Sequence, residues 1–307
     1  MPSVSSLAEA SAALAAAHAE GRRLRIGEDL TTEGLDRILE HEAGDLTCTV
    51  EAGVRLSALQ AALAEQGQRL SLDPPGDPTV GALLAENRSG PLRHRYGAPR
   101  DLVLGVTLVL ADGTIANAGG KVVKNVAGYD LARLVCGSRG RLALIARASF
   151  RLHPLPKAAR TLVVETGDAA ATVAVLLRSQ LEPSALDVLH PGRVAVLFEG
   201  SPRAVEAQLE AARALVGGEE AGAEVWHESR GRQAAARGRL RFPPGELGRV
   251  LADLDDGVVR ASTGVAYTAA AAPHPSDKVS QATEDVSLQR LREAVRRAFD
   301  PTGVLAP

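Results

Sequence analysis

The spacing of apolar and polar residues divides the chain into short elements. SSLAEASAALAAAHAEG (residues 5–21) predicts a helix, and LRIG (24–27) a short strand. LDRILEH (35–41) and DLTCTVEAG (45–53) read as strands around the turn Glu42-Ala43-Gly44-Asp45. In RLSALQAALAEQG (55–67), Leu56, Leu59 and Leu63 share one helical face and Gly67 supplies a stop. DPPGDPTVG (73–81) holds three prolines and two glycines, which excludes a helix or a central strand. A short helix, ALLAEN, follows. DLVLGVTLVL and TIANAG flank an Asp-Gly turn, the pattern of a hairpin, and YDLARLVCG predicts a short helix ending at Gly137. RLALIARASFRL predicts a strand, and HPLPK (153–157) marks a domain boundary.

Beyond residue 157 the order changes. LVVET, LDVLH, RVAVLFEG and AEVWH read as strands, with helices in DAAATVAVLLRSQ and PRAVEAQLEAARALVGG. The resulting β-α-β-β-α-β order predicts a ferredoxin-like split arrangement. FPPGELGRVLADL, VVRAS, GVAYTAA and a final helix, SLQRLREAVRRAFD, complete the chain. The 307 residues suit two domains, placed at 1–157 and 158–307.

Composition removes several functional classes. The formal charge is -2, from 35 basic and 37 acidic residues, which gives no bulk attraction to nucleic acid and no polybasic membrane anchor. Aromatic residues are 3%, too few for a base-stacking platform. Only four of the basic residues are lysines, so a lone arginine carries little weight without supporting neighbours. Cys48 and Cys136 are far apart among apolar neighbours and read as thiols in a reducing compartment. Two cysteines cannot hold an iron–sulfur cluster, and the seven histidines show no metal-ligand spacing, so no metal is expected. The first stretch lacks a positive leader and carries Glu9, His18 and Glu20, and no apolar run is long enough to span a bilayer. A cytoplasmic protein is expected.

Candidate chemistry concentrates between Asp73 and Pro154, where three glycine-bearing loops occur: DPPGDPTVG, ENRSGPLRHRYG and CGSRGRLALI. Glycine lets backbone N–H groups approach a phosphate or a ring edge closely. Three such loops favour a nucleotide-type ligand over plain turns. No GxGxxG follows a first strand and no GxxxxGK[ST] occurs, which excludes Rossmann and P-loop sites.

GKVVKNVAGYDLARLVCGSRGRLALI resembles the flavin-binding domain of the vanillyl-alcohol-oxidase (PCMH) type, in particular the FAD-binding subunit of bacterial glycolate oxidase. The preceding hairpin, PPGDPTVGALLAENRSGPLRHRYGAPRDLVLG and the closing AFDPTGVLAP resemble further elements of that family. The resemblance implies an α+β fold: a two-part PCMH-type FAD-binding domain followed by a ferredoxin-like α+β cap domain. It implies FAD as cofactor. Pro75, Gly76, Thr79, Val80 and Gly81 would lie under the flavin ring and ribityl chain, with Ser89 and Gly90 continuing that loop. Tyr96, Gly97, Asp101 and Val103 would line the adenine and ribose side, and Gly137, Gly140 and Leu142 would contact the flavin through backbone. Lys124, Asn125, Tyr129 and Asp130 would hold the helix before the last loop, with Asp130 as its cap.

Two departures stand out. The glycine-rich loop that wraps the pyrophosphate in the family is shortened here to LRIGEDLTTEGLDRI, and Arg141 and Ala143 replace the usual Thr and Gly. Arg141 is thereby expected to compensate for lost phosphate donors. His190, His227 and His274 lack the context of the family's catalytic histidines, so no catalytic residue is assigned. The implied partners are a catalytic flavoprotein subunit and an iron–sulfur subunit, acting as a complex on a small 2-hydroxy acid, with membrane association only through those partners. The competing expectation is a degenerate scaffold that keeps the fold without flavin. A third, an independent flavin oxidase, needs a catalytic residue that the sequence does not display.

Overall fold

The structure, a computed structural model, describes residues 2–120, 130–269 and 286–306. The first half is built on an antiparallel five-stranded sheet in the order β1-β2-β6-β4-β5, from β1 (Ile38–Glu42), β2 (Thr47–Glu51), β4 (Val103–Val109), β5 (Ile115–Gly119) and β6 (Leu144–Arg151). Side chains alternate across it, as the period of two demands. Leu144 and Ala146 of β6 pack toward α1 (Leu7–Ala19), while Ile145 enters the opposite core with α2 (Leu56–Ala64), α3 (Val80–Glu86) and α6 (Leu131–Val135). The expected turn at Glu42–Asp45 and the Asp-Gly hairpin are both present. Leu56, Leu59 and Leu63 are the buried face of α2.

Two local expectations are corrected here. LRIG forms no strand: Leu24 makes a single bridge to Leu305 and Ile26 one to Leu30. The short segment turns back through Gly27 before a ladder can extend. AEVWH is the start of a helix, α9 (Glu224–Ala235), not a strand. Val225, Trp226 and Ser229 are its buried residues, a helical spacing, and the Trp226 indole N–H donates to Thr161 Oγ1.

The second half is a seven-stranded antiparallel sheet in the order β11-β8-β10-β9-β13-β14-β12. Its first four members, β8 (Ala158–Glu165), β9 (Ala185–His190), β10 (Arg193–Gly200) and β11 (Glu219–Ala221), are joined through α7 (Ala169–Arg178) and α8 (Pro202–Val216). That is the expected ferredoxin-like order, but its closing strand is β11 and not the expected AEVWH. β12 (Gly238–Arg241), α10 (Leu247–Ala252), β13 (Gly257–Arg260) and β14 (Val265–Thr268) extend it. The last helix, α11 (Val286–Phe299), leads Val304 and Leu305 back into the core beside α1. Packing at the chain's end therefore departs from the expected 158–307 unit.

The halves meet through polar contacts from β3 (Gln68–Arg69), which pairs with β7 (His153–Pro154), from α4 (Arg93–Tyr96) and from the loop residues Asp73 and Ser89. Arg69 forms a nearly buried fork on Glu199 of β10, at 2.8 and 2.6 Å. Asp73 faces Arg230 at 3.6 Å, His94 Nδ1 meets Ser262 Oγ at 2.7 Å, and Gln233 Nε2 donates to the Ser89 carbonyl. Among the described residues, no helix is long and apolar enough to cross a membrane.

Candidate functional site

A cleft of about 740 Å³ opens in the first half between four stretches: Arg25–Glu28, Thr31–Glu33, Asp77–Ala85 and Arg139–Ala143. Glycine allows the first and last of these to meet. A Cβ on Gly140 would fall 2.8 Å from Ile26 Cβ, and its φ of +74° lies where L side chains are strained. The turn at Ile26 thus seats directly on the last glycine loop. The walls combine apolar Ile26, Ala82, Ala85 and Ile145 with the polar Thr31, Thr32 and Thr79.

The backbone N–H groups around the cleft limit what it can hold. Val80 N–H donates to the Val54 carbonyl (2.9 Å), Gly81 N–H to Ala52 (2.7 Å) and Ala82 N–H to Thr79 Oγ1 (3.3 Å). Gly27, Arg139 and Arg141 N–H groups donate to Leu30, Ala85 and Ser138 carbonyls. These six amides are satisfied within the chain and do not form a phosphate cradle.

The side chains leave different donors. Arg25 pairs with Glu28 and Asp29, Arg55 with Glu33, and Arg88 with Glu86. Asp77 accepts from the Ser57 amide and hydroxyl. Arg139 and Arg141 line the cleft without an acidic partner among the described residues. Beside them in the chain, the Ser138 hydroxyl is buried with no hydrogen-bond partner among the described residues. Two guanidinium forks without an acidic partner among the described residues, in a cleft of this volume, fit an elongated anionic ligand such as a dinucleotide.

The residues expected from sequence divide sharply. Thr79, Gly81, Gly140 and Arg141 line this cleft; Val80 is buried beneath it, and Pro75 and Gly76 lie earlier in the loop, away from its lining. Ser89 and Gly90 are buried under α9, with Gln233 on the Ser89 carbonyl. A Cβ on Gly90 would fall 1.9 Å from the Asp73 carbonyl oxygen. Tyr96 sits at the junction of the halves, its ring 4.7 Å from His153 and its hydroxyl accepting from Arg69. Gly97 packs against Asp101, whose carboxylate accepts from the Ala98 amide and caps α5 (Pro99–Leu102). Val103 and Leu142 are core residues, and Gly137 donates its N–H to the Leu84 carbonyl. The structure thus separates Pro75, Gly76, Ser89, Gly90, Tyr96, Gly97, Asp101, Val103, Gly137 and Leu142 from the cleft lining. Asp130 caps α6 by accepting from Arg133 N–H; Lys124, Asn125, Tyr129 and His274 lie outside the described residues.

Burial sets the chemistry of the thiols and histidines. It pushes the Cys48 and Cys136 thiols up to about 12, so neither is a nucleophile. Burial also pushes His153 down to about 4, helped by Arg151, Arg69 and Arg95. His190 is half-buried and His227 exposed on α9, and neither lines the cleft. Sequence reasoning missed Arg25, Thr31, Thr32 and Arg55, whose approach depends on the tertiary fold. Arg139 was legible only as a turn residue, although its φ of +55° is unusual for a side chain of that size.

Residues 27–119 match the FAD binding domain family. The chain is 33% identical over 218 residues to glycolate oxidase subunit GlcE of Escherichia coli (strain K12), covering 68% of this chain and 61% of that protein. It is 36% identical over 184 residues to glycolate oxidase subunit GlcD of Bacillus subtilis (strain 168), covering 57% of this chain and 39% of that one. The chain therefore spans less than two thirds of the length of either relative. Among solved structures, alkyldihydroxyacetonephosphate synthase superposes with a TM-score of 0.75 at 14% identity, covering 99% of this chain and 76% of the other.

The first half carries an FAD-binding domain, and the fold is of the PCMH type.

Proposed function

We propose that this chain is the FAD-binding subunit of a glycolate-oxidase-like complex that oxidises a small 2-hydroxy acid. The observation that carries this reading is the 740 Å³ cleft, formed within the matched FAD-binding region together with the last glycine loop. In this reading Arg139 and Arg141 hold the FAD pyrophosphate, and Thr79, Gly81 and Gly140 shape the wall beside it. When bound, FAD supplies a hydride acceptor for oxidation of the hydroxyl-bearing carbon. The chain's own part is to bind and orient it. A catalytic flavoprotein subunit and an iron–sulfur subunit complete the reaction and pass electrons on, in the cytoplasm or held at the membrane through those partners. Residues up to about 157, with the returning C-terminal segment, form the flavin-binding unit, and the seven-stranded sheet forms the cap.

The scaffold reading draws on one observation as well: six amides around the cleft are already bonded within the chain. An absorbance spectrum separates the two. Protein purified with added FAD is expected to retain flavin bands that acid releases, and to reduce dye with glycolate or lactate only when partner subunits are added. No retained flavin at any FAD concentration overturns the flavin reading, and robust turnover by the lone chain overturns the need for partners.

A further inference from the structure

A second cleft, of about 390 Å³, lies at the seam between the halves. Arg93 of α4 lines one side; Arg241, Phe242, Pro243, Thr263 and Val265 line the other. It shares no residue with the larger cleft.

No acidic side chain is among its lining residues. Arg93 is half-buried, and the one hydrogen bond of its guanidinium to the described residues goes to Ser89 Oγ at 3.3 Å. Burial, with Arg239 and Arg241 nearby, pushes its pKa below the ordinary arginine value, against the opposing pull of Tyr267 and Asp101. Where the pKa of another described arginine shifts, at Arg37, Arg69 and Arg160, a glutamate raises it. Arg241 is exposed on β12 with no ion-pair partner among the described residues, and Arg239 lies 5.7 Å from the Tyr267 ring, also without an acidic partner among them. Holding a half-buried cation beside two others is costly unless an anion joins them.

We propose that this cleft binds a short organic dicarboxylate between Arg93 and Arg241, with Arg239 at the rim. Two guanidinium forks match two carboxylates, since each fork can donate two parallel hydrogen bonds to one carboxylate. Phe242, Pro243 and Val265 offer apolar surface to a carbon chain, which inorganic phosphate lacks. The volume suits a small molecule rather than a dinucleotide.

Calorimetric titration of the full chain tests this, with succinate as the probe and inorganic phosphate and lactate as controls. Succinate is expected to bind one site saturably and more tightly than either control. Arg241→Ala is expected to weaken it at least tenfold; the residue is exposed on an edge strand, so the fold is kept, and circular dichroism checks this. Arg93→Lys keeps the charge but removes the fork and is expected to weaken binding as well, while Arg141→Ala leaves it unchanged. Absence of saturable succinate binding, phosphate or lactate binding as tightly as succinate, or equal succinate affinity in Arg241→Ala and wild type each overturns the proposal.

Discussion

The loops DPPGDPTVG and ENRSGPLRHRYG are close in sequence and alike in glycine content, yet they do different work. The first ends at the larger cleft, where Thr79 and Gly81 are lining residues. The second is consumed by the junction between the halves: Ser89 lies under α9, Tyr96 packs on His153, and Arg93 turns toward the second cleft. Glycine shows only that a backbone comes close to something. At Gly81, which lines the larger cleft, it is Ala52, and at Gly90 it is the Asp73 main chain.

The largest expected effect lies at the junction. Arg69→Ala leaves Glu199 nearly buried with only the Tyr96 hydroxyl, at 3.4 Å, and no cation beside it, which costs about 3–5 kcal/mol of stability in denaturant unfolding. FAD affinity of the folded protein is expected to stay at the wild-type value. An equal loss of flavin affinity would show that the junction and the cleft are one site.

Glycine replacement sharpens the same comparison. Gly90→Ala forces a Cβ into backbone and is expected to cost about 1–3 kcal/mol, with flavin affinity unchanged. Gly140→Ala strains a left-handed position and pushes on Ile26 in the cleft wall, so both stability and flavin affinity fall. Thermal melts paired with FAD titrations distinguish the two outcomes.

The junction also carries two groups with opposite pH responses. Burial raises the Asp73 carboxyl from its ordinary value of 3.8 to about 7, against the pull of the Leu92 amide, Arg260 and Arg230. The unfolded chain loses that proton near pH 4, so this group's contribution favours folding in acid and is lost as pH rises from about 4 to 7. His153 behaves in the reverse sense. Its folded pKa of about 4 lies below the unfolded 6.5, so its contribution is full above pH 6.5 and is lost as pH falls toward 4. In the wild type the two slopes oppose each other. Asp73→Asn is expected to expose the acid-side loss, and His153→Gln the alkaline-side one, each at most about 1.4 kcal/mol per pH unit. Melting temperatures between pH 4 and 8 read both slopes, and parallel profiles for all three proteins would contradict the assignment.

Much of the fold was legible because the sequence signals were local. The Asp-Gly turn, the leucine face of α2, the Asp130 cap and the first five elements of the split β-α-β-β-α-β order depend on neighbours in the chain. AEVWH misled because five residues with two large apolar side chains suit a strand as well as the first turn of a helix, and only burial of Ser229 one turn later separates them. The site was less legible. Gly140 and Arg141 could be placed from their loop, but Arg93 and Arg241 are 148 positions apart and meet only once the halves pack. Likewise, no pattern shows that the Gly81 amide is spent on Ala52.

The central claim is that arginine side chains, not backbone amides, hold the pyrophosphate in the larger cleft. An FAD titration of wild type, Arg139→Ala and Arg141→Ala at low and high salt tests it directly. A charged hydrogen bond is worth about 1.5–3 kcal/mol, and exposure of both side chains places the effect near the lower end, roughly tenfold in affinity. The account predicts that loss for Arg141→Ala, a comparable or smaller one for Arg139→Ala, and a flatter salt dependence in both. Equal affinities and equal salt slopes in all three proteins would contradict it.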